Sequence, residues 1–313
     1  MGDYATFPFC DVSDCDLLVL LNGHYTSCAR DDIIPLDVLD SMCFSSVDHC
    51  VDGYLGEVDP DDFLQGIRGF DNPNCNYYFP ATSDCDLDQL PVDAFSVLSF
   101  NIGSVPKHLD SFVDQCLAPL GYQFDVIGFC ETKLTDDIEH LYDIPSYTRQ
   151  SNSLSRHSGG VSLYINNKYN SFLCRDLTVK EEFIETLFVE IYHYIRNIVV
   201  GVIYRRPNTN LGNFYETLNN LVSVVSNESK TCYLMGDFNI DLLRWETDIN
   251  VSEYLAVFHS KLFLNVINKP TRVTASSASL IDHIWSDNIT SNIRNGILHT
   301  RISDNFPSYL SMT

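Results

Sequence analysis

The chain has 313 residues, 45% of them hydrophobic, and a formal net charge of −23 at pH 7. This length and apolar content allow at least one large buried core. The negative charge argues against a broadly basic surface for non-specific binding to DNA, although a local basic patch with a metal ion would still suffice.

The first third of the chain is strongly acidic. Residues 1–95 contain 2 Lys and Arg against 19 Asp and Glu, a net charge of −17, whereas residues 96–313 contain 17 against 23, a net charge of −6. The Asp-rich stretches alternate with short apolar runs and leave little continuous apolar face. We therefore predict an acidic, Cys-containing leader over residues 1–93 that is poorly ordered, and a separate domain over residues 94–313.

Nothing in the leader predicts membrane insertion or secretion. Its longest apolar run, Leu17–Leu21, is far too short to cross a bilayer, so we expect no membrane partner. The N-terminus lacks a basic segment followed by an apolar stretch and a small-residue cleavage site. These observations predict an intracellular protein that is not secreted.

Seven of the 11 cysteines lie in the leader, and their spacing does not favour a metal site. A zinc site requires tight Cys pairs or finger-spaced Cys/His pairs, but Cys10 and Cys15, and Cys43 and Cys50 beside His49, are loosely spaced. An odd cysteine total without a signal peptide also argues against a disulfide framework. We predict reduced thiols that bind no metal.

From residue 94 onward, the sequence contains repeated short strand signals. Each run is rich in β-branched and aromatic residues and is bounded by Gly, Asn, Asp or Pro. The predicted strands cover residues 94–101, 124–131, 159–165, 185–192, 198–204, 231–235, 280–285 and 297–302.

Three segments between these strands have the three-to-four spacing of apolar residues that is typical of helices. Their ranges are residues 105–119, 211–226 and 252–262. Phe214, Leu218 and Leu221 illustrate the spacing. Many strands interleaved with few helices predict a single α/β or α+β layered domain, in which two packed sheets have helices outside.

The run Tyr233–Asn239 is the clearest functional signal, because this apolar strand ends on Asp237 and Asn239. Side chains alternate across a strand, so the two point the same way. A carboxylate beside an amide suits a site that holds a hard metal ion and positions a phosphate oxygen or an attacking water. A strand followed by a turn, in which both residues merely cap the loop, explains this run alone equally well.

Several other predicted strands carry a polar residue at or near their ends. These residues are Asn101, Glu131, Tyr204, Asp282 and Asp304. Strands that end on one side of a layered domain present their end residues around a common cleft. Although each of them alone would be an ordinary turn residue, together they predict one polar site.

Six ordered segments between about Phe95 and Leu310 resemble the endonuclease/exonuclease/phosphatase superfamily, and in particular the apurinic-endonuclease-like domains of non-LTR retrotransposons. The segments are Leu98–Ile102, Cys130–Leu134, Val202–Asn208, Gly236–Asn239, Leu280–Ile284 and Ile302–Pro307. The resemblance implies a four-layered sandwich, in which two packed central β-sheets are flanked by helices. It also implies a phosphodiesterase that cleaves duplex DNA with Mg²⁺ or Mn²⁺ as cofactor.

The resemblance assigns metal binding to three residues. Glu131 would be the principal Mg²⁺ ligand, helped by Asn101 and, from the opposite wall, by Asp304. A hard cation held by one or two carboxylates, with waters in its other positions, can bind a substrate phosphate and neutralise developing charge.

The same resemblance assigns catalytic roles. Asp237 would orient or deprotonate the attacking water, and Asn239 would hold a phosphate oxygen. Tyr204 would donate a hydrogen bond near the phosphate, while Asp282 and Ser303 would complete the pocket.

Phosphate or DNA contacts are expected from Ser303, from Arg205 and Arg206, and less strongly from Thr271. An arginine fork matches the geometry of a phosphate. A solvated strand end explains the arginine pair almost as well.

One position departs from the family pattern. The last motif of the family reads Ser-Asp-His, but this chain has Asn305 in place of the histidine that contacts the scissile phosphate. An amide neither transfers a proton near neutral pH nor carries the positive charge of an imidazolium. Losing one such group typically lowers the rate by about 10²–10⁴, so we predict weak or absent activity.

No neighbouring histidine is predicted to substitute. His283 follows Asp282 on a strand and should face the opposite sheet surface. His299 lies six residues before Asn305, which is roughly 20 Å in an extended chain. His157 is expected in a surface loop beside two glycines.

Two main hypotheses follow: an impaired DNA endonuclease domain of retrotransposon origin, or an inactive remnant that serves as a nucleic-acid-binding scaffold or binds nothing. A phosphatase for small phosphoesters is a weaker third. The resemblance further implies a reverse transcriptase fused downstream and, through the DNA substrate, a nuclear location. No polymerase motif precedes the end at Thr313, so we expect a fragment, a truncated gene model or a decayed copy.

Overall fold

A computed structural model describes residues 75–80, 94–153, 155, 157–228, 230–288 and 293–312, and every structural statement concerns these residues. The predictions for the leader therefore lie mostly outside the described residues, including six of its seven cysteines. The exception is Cys75, whose thiol is free and buried. Burial raises the pKa of this thiol to about 11, which agrees with an inert, protonated cysteine.

Fifteen strands form most of the described structure. In chain order they are β1 (Cys75–Tyr78), β2 (Phe95–Asn101), β3 (Val126–Cys130), β4 (Tyr147–Asn152), β5 (Val161–Asn166), β6 (Ser171–Leu173), β7 (Ile184–Ile191), β8 (Ile198–Arg205), β9 (Thr231–Asp237), β10 (Leu264–Asn265), β11 (Arg272–Val273), β12 (Ala278–Ser279), β13 (Asp282–Ser286), β14 (Ile293–Leu298) and β15 (Ser308–Met312).

These strands form two large sheets and one small one. Sheet 1 has the order β1-β14-β15-β2-β3-β5-β4, and sheet 2 has the order β10-β13-β9-β8-β7-β6. The small sheet is the β11-β12 hairpin. The central pairs β2–β3 and β8–β9 run parallel, so each pair delivers two carboxyl-terminal strand ends at one edge of its sheet.

Sheets 1 and 2 pack face to face. The Phe95 ring of sheet 1 lies 5.3 Å from the Tyr233 ring of sheet 2. The Met235 side chain of β9 occupies the space above Gly128 of β3, where any larger residue would collide with it. Alternate residues of β2 and β9 therefore face one another across the interior, and the ends of both strands open into the same space.

Helices cover the two outer faces. Helix α1 (Val105–Phe112) continues through a π-helical turn (Val113–Leu117) and a last turn (Ala118–Leu120), and packs on sheet 1 with Phe112 5.5 Å from Phe100. Helices α2 (Leu211–Ser226) and α3 (Ile249–His259) cover sheet 2. The resulting order of helix, sheet, sheet and helices confirms the predicted four-layered sandwich. None of the described helices is long and apolar enough to span a membrane.

The boundaries of some helices and strands differ from the predictions. Helix α3 begins at Ile249 rather than 252, because the Asp248 side chain accepts from the Asn250 backbone N–H and caps the helix. The predicted strand 297–302 is shifted toward the N-terminus and covers Ile293–Leu298; after its end, the His299 N–H donates to the carbonyl of Tyr78 at the end of β1. Strands β4, β6, β10, β11, β12 and β15 were not predicted, and β1 lies within the predicted leader.

Candidate active site

Four polar residues from the two sheets converge at one end of the sandwich. Asn101 ends β2, Glu131 follows β3, and Asp237 ends β9. The Asn101 amide nitrogen donates to Oε1 of Glu131 at 2.9 Å and to Oδ2 of Asp237 at 2.7 Å. Asp282 lies directly opposite Asp237 in the β13–β9 pairing. We call Asn101, Glu131, Asp237 and Asp282 the carboxylate cluster.

Two residues of the site adopt a left-handed backbone conformation. Glu131 has φ 53° and Asn239 has φ 50°, although neither is glycine. Such conformations cost free energy and persist where the surrounding structure imposes them. The loop after Glu131 is held because the Thr132 and Lys133 N–H groups donate to carbonyls of the 159–160 loop.

Gly236 places β9 close to β8 immediately before Asp237. It has φ 142°, and a Cβ there would collide with the Ile203 carbonyl. Only glycine permits this conformation and approach. The close approach of β9 to β8 therefore fixes the position of Asp237 in the cleft.

The Asp282 carboxylate is oriented by two neutral donors. Its Oδ2 accepts from Oγ1 of Thr271 and from Nδ2 of Asn305, each at 2.7 Å. Its buried Oδ1 has no hydrogen-bond partner. Asn305 thus occupies the predicted place beside Asp282, while Thr271 is fully buried and contacts the carboxylate instead of lying where a phosphate could reach it.

Burial and like charge raise the pKa values of two carboxyl groups of the cluster, Asp237 and Asp282. Burial first, and then the charge of Asp282, raises the pKa of Asp237 well above its ordinary value. Burial raises the pKa of Asp282 to about 7, although the bonds from Thr271 and Asn305 oppose the rise. Burial and the nearby Glu131 also raise the pKa of Tyr204, so its hydroxyl stays protonated and donates to Glu131 Oε1 at 3.3 Å.

Asn239 lies beside this cluster, and its loop is held by Arg205. The Asn239 backbone N–H donates to Asp237 Oδ1 at 2.8 Å, and its side-chain nitrogen donates to the Arg205 carbonyl at 2.8 Å. The Arg205 guanidinium donates to the Phe238 and Asn239 carbonyls at 2.7 Å each and is buried. The predicted contact between Arg205 and a phosphate is therefore not what the structure shows, because the guanidinium binds the carbonyls of the loop after β9 instead.

Asp304 is a second departure. Its side chain is 80% exposed, and its carboxylate lies 3.5 Å from Arg272. The described contacts do not join it to the carboxylate cluster. The Ser303 hydroxyl contacts the carbonyl oxygens of Asn101 and Asn305 and thereby fixes the backbone on both sides of Asp304. As a result, the Asn305 side chain points into the site and the Asp304 side chain points to solvent.

Arg206 lies at the rim rather than at the centre. Its guanidinium contacts Glu185 at 3.4 Å and the Ser158 hydroxyl at 3.3 Å. The buried Glu185 carboxylate also accepts from the Gly160 N–H. Arg206 is therefore partly neutralised while it ties together the loops beside Glu131.

The positions of two histidines, His283 and His157, follow the predictions, whereas that of His299 departs from them. His283 faces the helices of sheet 2, with Nδ1 2.8 Å from the Tyr254 hydroxyl, as expected from strand alternation. His299 is in a loop, not in an extended strand, so its ring reaches Phe306 at 4.9 Å. His157 is exposed.

His108 is a residue of interest that the sequence reasoning missed. Its Nδ1 lies 2.7 Å from the Ile102 carbonyl, and since a carbonyl only accepts, this nitrogen carries the proton. A Cβ placed on Gly103 would lie 3.9 Å from the His108 ring and 4.0 Å from Ser303 Cβ. The short connection from β2 to α1, which brings the first helical turns back to the site, is the signal that could have revealed it.

The donor set suits a hard cation but does not form a preformed cage. Within the described ranges, no three His, Cys, Asp or Glu side chains come close enough to enclose a metal ion. Mg²⁺ is typically bound by one or two carboxylates and keeps several waters, so this arrangement is compatible with it. Asn101 presents its amide nitrogen to the carboxylates, because its oxygen accepts from the Gly103 N–H at 3.0 Å.

Solved structures share this fold at low sequence identity. The endonuclease domain of TRAS1, a telomere-specific non-LTR retrotransposon, matches 70% of this chain and 98% of its own length, with 12% identity and a TM-score of 0.56. The Xenopus laevis APE2 catalytic domain matches 69% and 91%, with 15% identity and a TM-score of 0.51. A humanized D. rerio TDP2 matches 70% and 99%, with 14% identity and a TM-score of 0.51.

No curated protein matches the sequence. A family model does: that of the Endonuclease/Exonuclease/phosphatase family, over residues 98–304. This range contains the whole carboxylate cluster and covers more than half of the chain. The chain therefore belongs to the Endonuclease/Exonuclease/phosphatase family.

Proposed function

We propose that residues 94–313 form a Mg²⁺- or Mn²⁺-dependent DNA endonuclease of non-LTR retrotransposon origin, slowed because Asn305 replaces the catalytic histidine. The observation that carries the proposal is the convergence of Glu131 and Asp237 on the amide of Asn101, at 2.9 and 2.7 Å. Family membership supports phosphoester hydrolysis, and the likeness to the TRAS1 endonuclease domain supports DNA as the substrate.

The cation would be held chiefly by Glu131, with Asn101 beside it. Hard oxygen donors suit Mg²⁺, and the buried, unpartnered Oδ1 of Asp282 marks a pocket with unused acceptor capacity. When bound, the cation neutralises negative charge that develops on the phosphate. We do not include Asp304 among the ligands, because its carboxylate is exposed and faces Arg272.

Asp237 would take a proton from the attacking water. Its two oxygens already accept from Asn239 and Asn101, so its orientation is fixed before substrate binds. Its raised pKa makes it a stronger base than an ordinary aspartate. Asn239 would position a phosphate oxygen next to Asp237. Tyr204, whose hydroxyl donates to Glu131 before substrate binds, would donate to the phosphate from the wall formed by β8.

Asn305 limits this chemistry. A histidine in its place would pair with Asp282 and present positive charge to the phosphate, whereas the amide donates only a neutral hydrogen bond to Oδ2. The expected loss is about 10²–10⁴ in rate. This single substitution is also the observation that favours the second candidate, an inactive remnant that keeps the fold as a nucleic-acid-binding scaffold.

Two further parts of the proposal depend on the retrotransposon origin. A DNA target implies a nuclear location, and the origin implies a reverse transcriptase as the downstream partner. A phosphatase for small phosphoesters is not favoured, because the segment Tyr204–Asn208 resembles the retrotransposon branch.

Nicking of supercoiled plasmid tests the function. With Mg²⁺, the wild-type protein should nick slowly, and Asn305→His should raise the rate by about 10²–10⁴ because an imidazole is restored beside Asp282. Asn305→Gln is the matched control, since it keeps the amide and should not accelerate nicking.

Two results would count against the proposal. Rapid nicking by the wild type, with no gain or a loss in Asn305→His, would show that Asn305 is not at the rate-limiting position. No nicking by either protein, with correct folding verified by circular dichroism, would favour the scaffold.

A further inference from the structure

Strand β1 lies at one edge of sheet 1 and contacts two segments that lead into the active site. It runs parallel to β14, with Tyr77 level with Ile297. It falls within the predicted leader and precedes residues 98–304, which the family model matches. The role of β1 is therefore not given by family membership and has to follow from its own contacts.

Tyr77 contacts both of these segments. Its hydroxyl donates to the Pro270 carbonyl at 2.9 Å. Its ring meets the Phe306 ring edge-on, with the centroids 6.4 Å apart and the planes at 84°. Burial raises the pKa of Tyr77 well above its ordinary value, so the hydroxyl keeps its proton and remains a donor. One side chain of β1 thus joins two segments that are distant in the chain.

The residues next to these two contacts are the donors to Asp282. Thr271 follows Pro270, and Asn305 precedes Phe306. Each of these neighbours donates to Asp282 Oδ2 at 2.7 Å. The two segments are also bonded to each other, because the Phe306 N–H donates to the Thr271 carbonyl at 2.7 Å. A shift of either segment would therefore move both donors relative to the carboxylate.

Lys269 adds a weaker link between β1 and the first segment. Its ammonium lies 5.9 Å from the centroid of the Tyr77 ring and donates to Asn76 Oδ1 at 3.2 Å. Asn76 is exposed, so water competes for this bond. The hydroxyl bond of Tyr77 is better shielded from water, since the tyrosine is half-buried and the Pro270 it contacts is buried.

We infer that Tyr77 is a positioning residue of the active site, because it holds Thr271 and Asn305 where they orient Asp282. The inference rests on the proposed function and extends the site to β1. The Oδ1 atom of Asp282 has no hydrogen-bond partner, so the orientation of the carboxylate depends on the two donors to Oδ2. Reacting groups have to be held to within about 0.5 Å, and a misplacement of about 1 Å can cost about 10²-fold in rate.

The side-chain amide of Asn305 reports on this arrangement, because its nitrogen donates to Asp282. In the ¹⁵N-labelled full chain, nuclear magnetic resonance identifies its signal by the loss of that signal in Asn305→Ala. Tyr77→Phe removes only the hydroxyl oxygen and should displace the Asn305 signal, since the segment before Thr271 loses its anchor. A contribution to stability alone would not move this signal.

Tyr147→Phe is the matched control. The Tyr147 hydroxyl also donates to a backbone carbonyl, that of Phe124 at 2.7 Å. It lies on β4, however, at the opposite edge of sheet 1 from β1. This variant should leave the Asn305 signal in place. A signal that stays in place in Tyr77→Phe, or that moves equally in Tyr147→Phe, would overturn the inference.

Nicking of supercoiled plasmid with Mg²⁺ measures the effect on rate. Tyr77→Phe should lower kcat by about 2- to 12-fold, the value of one neutral hydrogen bond, and leave KM within about twofold of wild type. If the wild type nicks and Tyr77→Phe has the same kcat, the inference is overturned while the proposed function stands. If the Asn305 signal moves but the wild type does not nick, the proposed function is rejected while the contact between Tyr77 and the site stands.

Discussion

Two buried polar regions on opposite faces of sheet 2 are built differently. The carboxylate cluster faces sheet 1, whereas a second group, which we call the aromatic cluster, faces helices α2 and α3. The aromatic cluster comprises Phe238, Tyr254, Phe258, His283 and Trp285. Strand β13 contributes to both, because Asp282 points into one and His283 into the other.

The polar atoms of the aromatic cluster are paired. The Nδ1 atom of His283 lies 2.8 Å from the Tyr254 hydroxyl, and its Nε2 atom lies 3.1 Å from the Leu280 carbonyl oxygen. The Trp285 indole N–H donates to the same hydroxyl at 3.1 Å. Burial lowers the pKa of His283 to about 3, so the ring stays neutral. Paired polar groups inside close-packed rings stabilise the fold.

The carboxylate cluster keeps features that lower stability. It contains like-charged groups whose pKa values are raised, left-handed backbone at Glu131, and the unpartnered Oδ1 of Asp282. Unfavourable features of this kind persist where a site is shaped for a ligand or a reaction. The comparison teaches that burial alone does not identify a site, whereas raised carboxyl pKa values, left-handed backbone and an unpartnered carboxylate oxygen together distinguish the carboxylate cluster from the aromatic cluster.

The largest expected effect concerns the aromatic cluster. Trp285 is fully buried and stacks on Phe258 with ring centroids 4.1 Å apart. Trp285→Ala should lower the free energy of unfolding by about 3–5 kcal/mol, because it leaves a cavity and removes the stack. Urea denaturation measures this, with the exposed Tyr192→Ala as control, which should change it by less than about 0.5 kcal/mol. An equal change in the free energy of unfolding for Trp285→Ala and Tyr192→Ala would contradict the assignment of Trp285 to a close-packed cluster.

The next effect concerns Asp282. Its folded pKa of about 7 lies above the unfolded value of 3.8, so the unfolded state loses its proton first, and stability falls as pH rises from about 4 to 7. Asp282→Asn removes this dependence. Without divalent cation, the wild type should lose about 2–4 kcal/mol more than the variant over that window. Parallel urea-stability profiles would show that Asp282 is not held protonated.

His283 should give the opposite sign. Its folded pKa of about 3 lies below the unfolded value of 6.5, so its contribution to stability is complete above pH 6.5 and is lost as pH falls toward 3. His283→Gln should make stability less dependent on pH, by about 2–3 kcal/mol between pH 7 and 4. His259 is half-buried, and desolvation lowers its pKa to about 4, so it keeps part of the acid sensitivity. The matched comparison is His259→Gln. An unchanged slope in His283→Gln would contradict burial of a neutral ring.

Periodicity predicted the parts of the fold whose pattern is local. Helix α2 has the predicted limits, and β8 and β9 extend the predicted runs by one and two residues. Strand β1 was missed, because four residues that alternate poorly acquire their partner, β14, only after some two hundred residues of chain. The convergence of Asn101, Glu131 and Asp237 was predictable from their positions at strand ends. Strand alternation alone could not distinguish a site from ordinary turn residues, but the order of the motifs along the chain, which resembles the family, favoured the site.

The side-chain partners within the site were not predictable. The sequence shows a pair of arginines after Tyr204, but only the left-handed turn at Asn239 brings two carbonyls within reach of Arg205. It likewise places Asp304 within the last motif without revealing that Ser303 turns that side chain outward. These outcomes depend on backbone angles that single residue types do not encode.

The most direct test of the account is the site of the tightest bound Mn²⁺, measured by electron paramagnetic resonance titration. The account predicts that Glu131→Gln loses this site, whereas Asp304→Asn, which removes an exposed carboxylate from the same region, retains it. Weak sites on other acidic residues should be unaffected by either substitution. Retention of the tightest site in Glu131→Gln would contradict the claim that the carboxylate cluster binds a divalent cation.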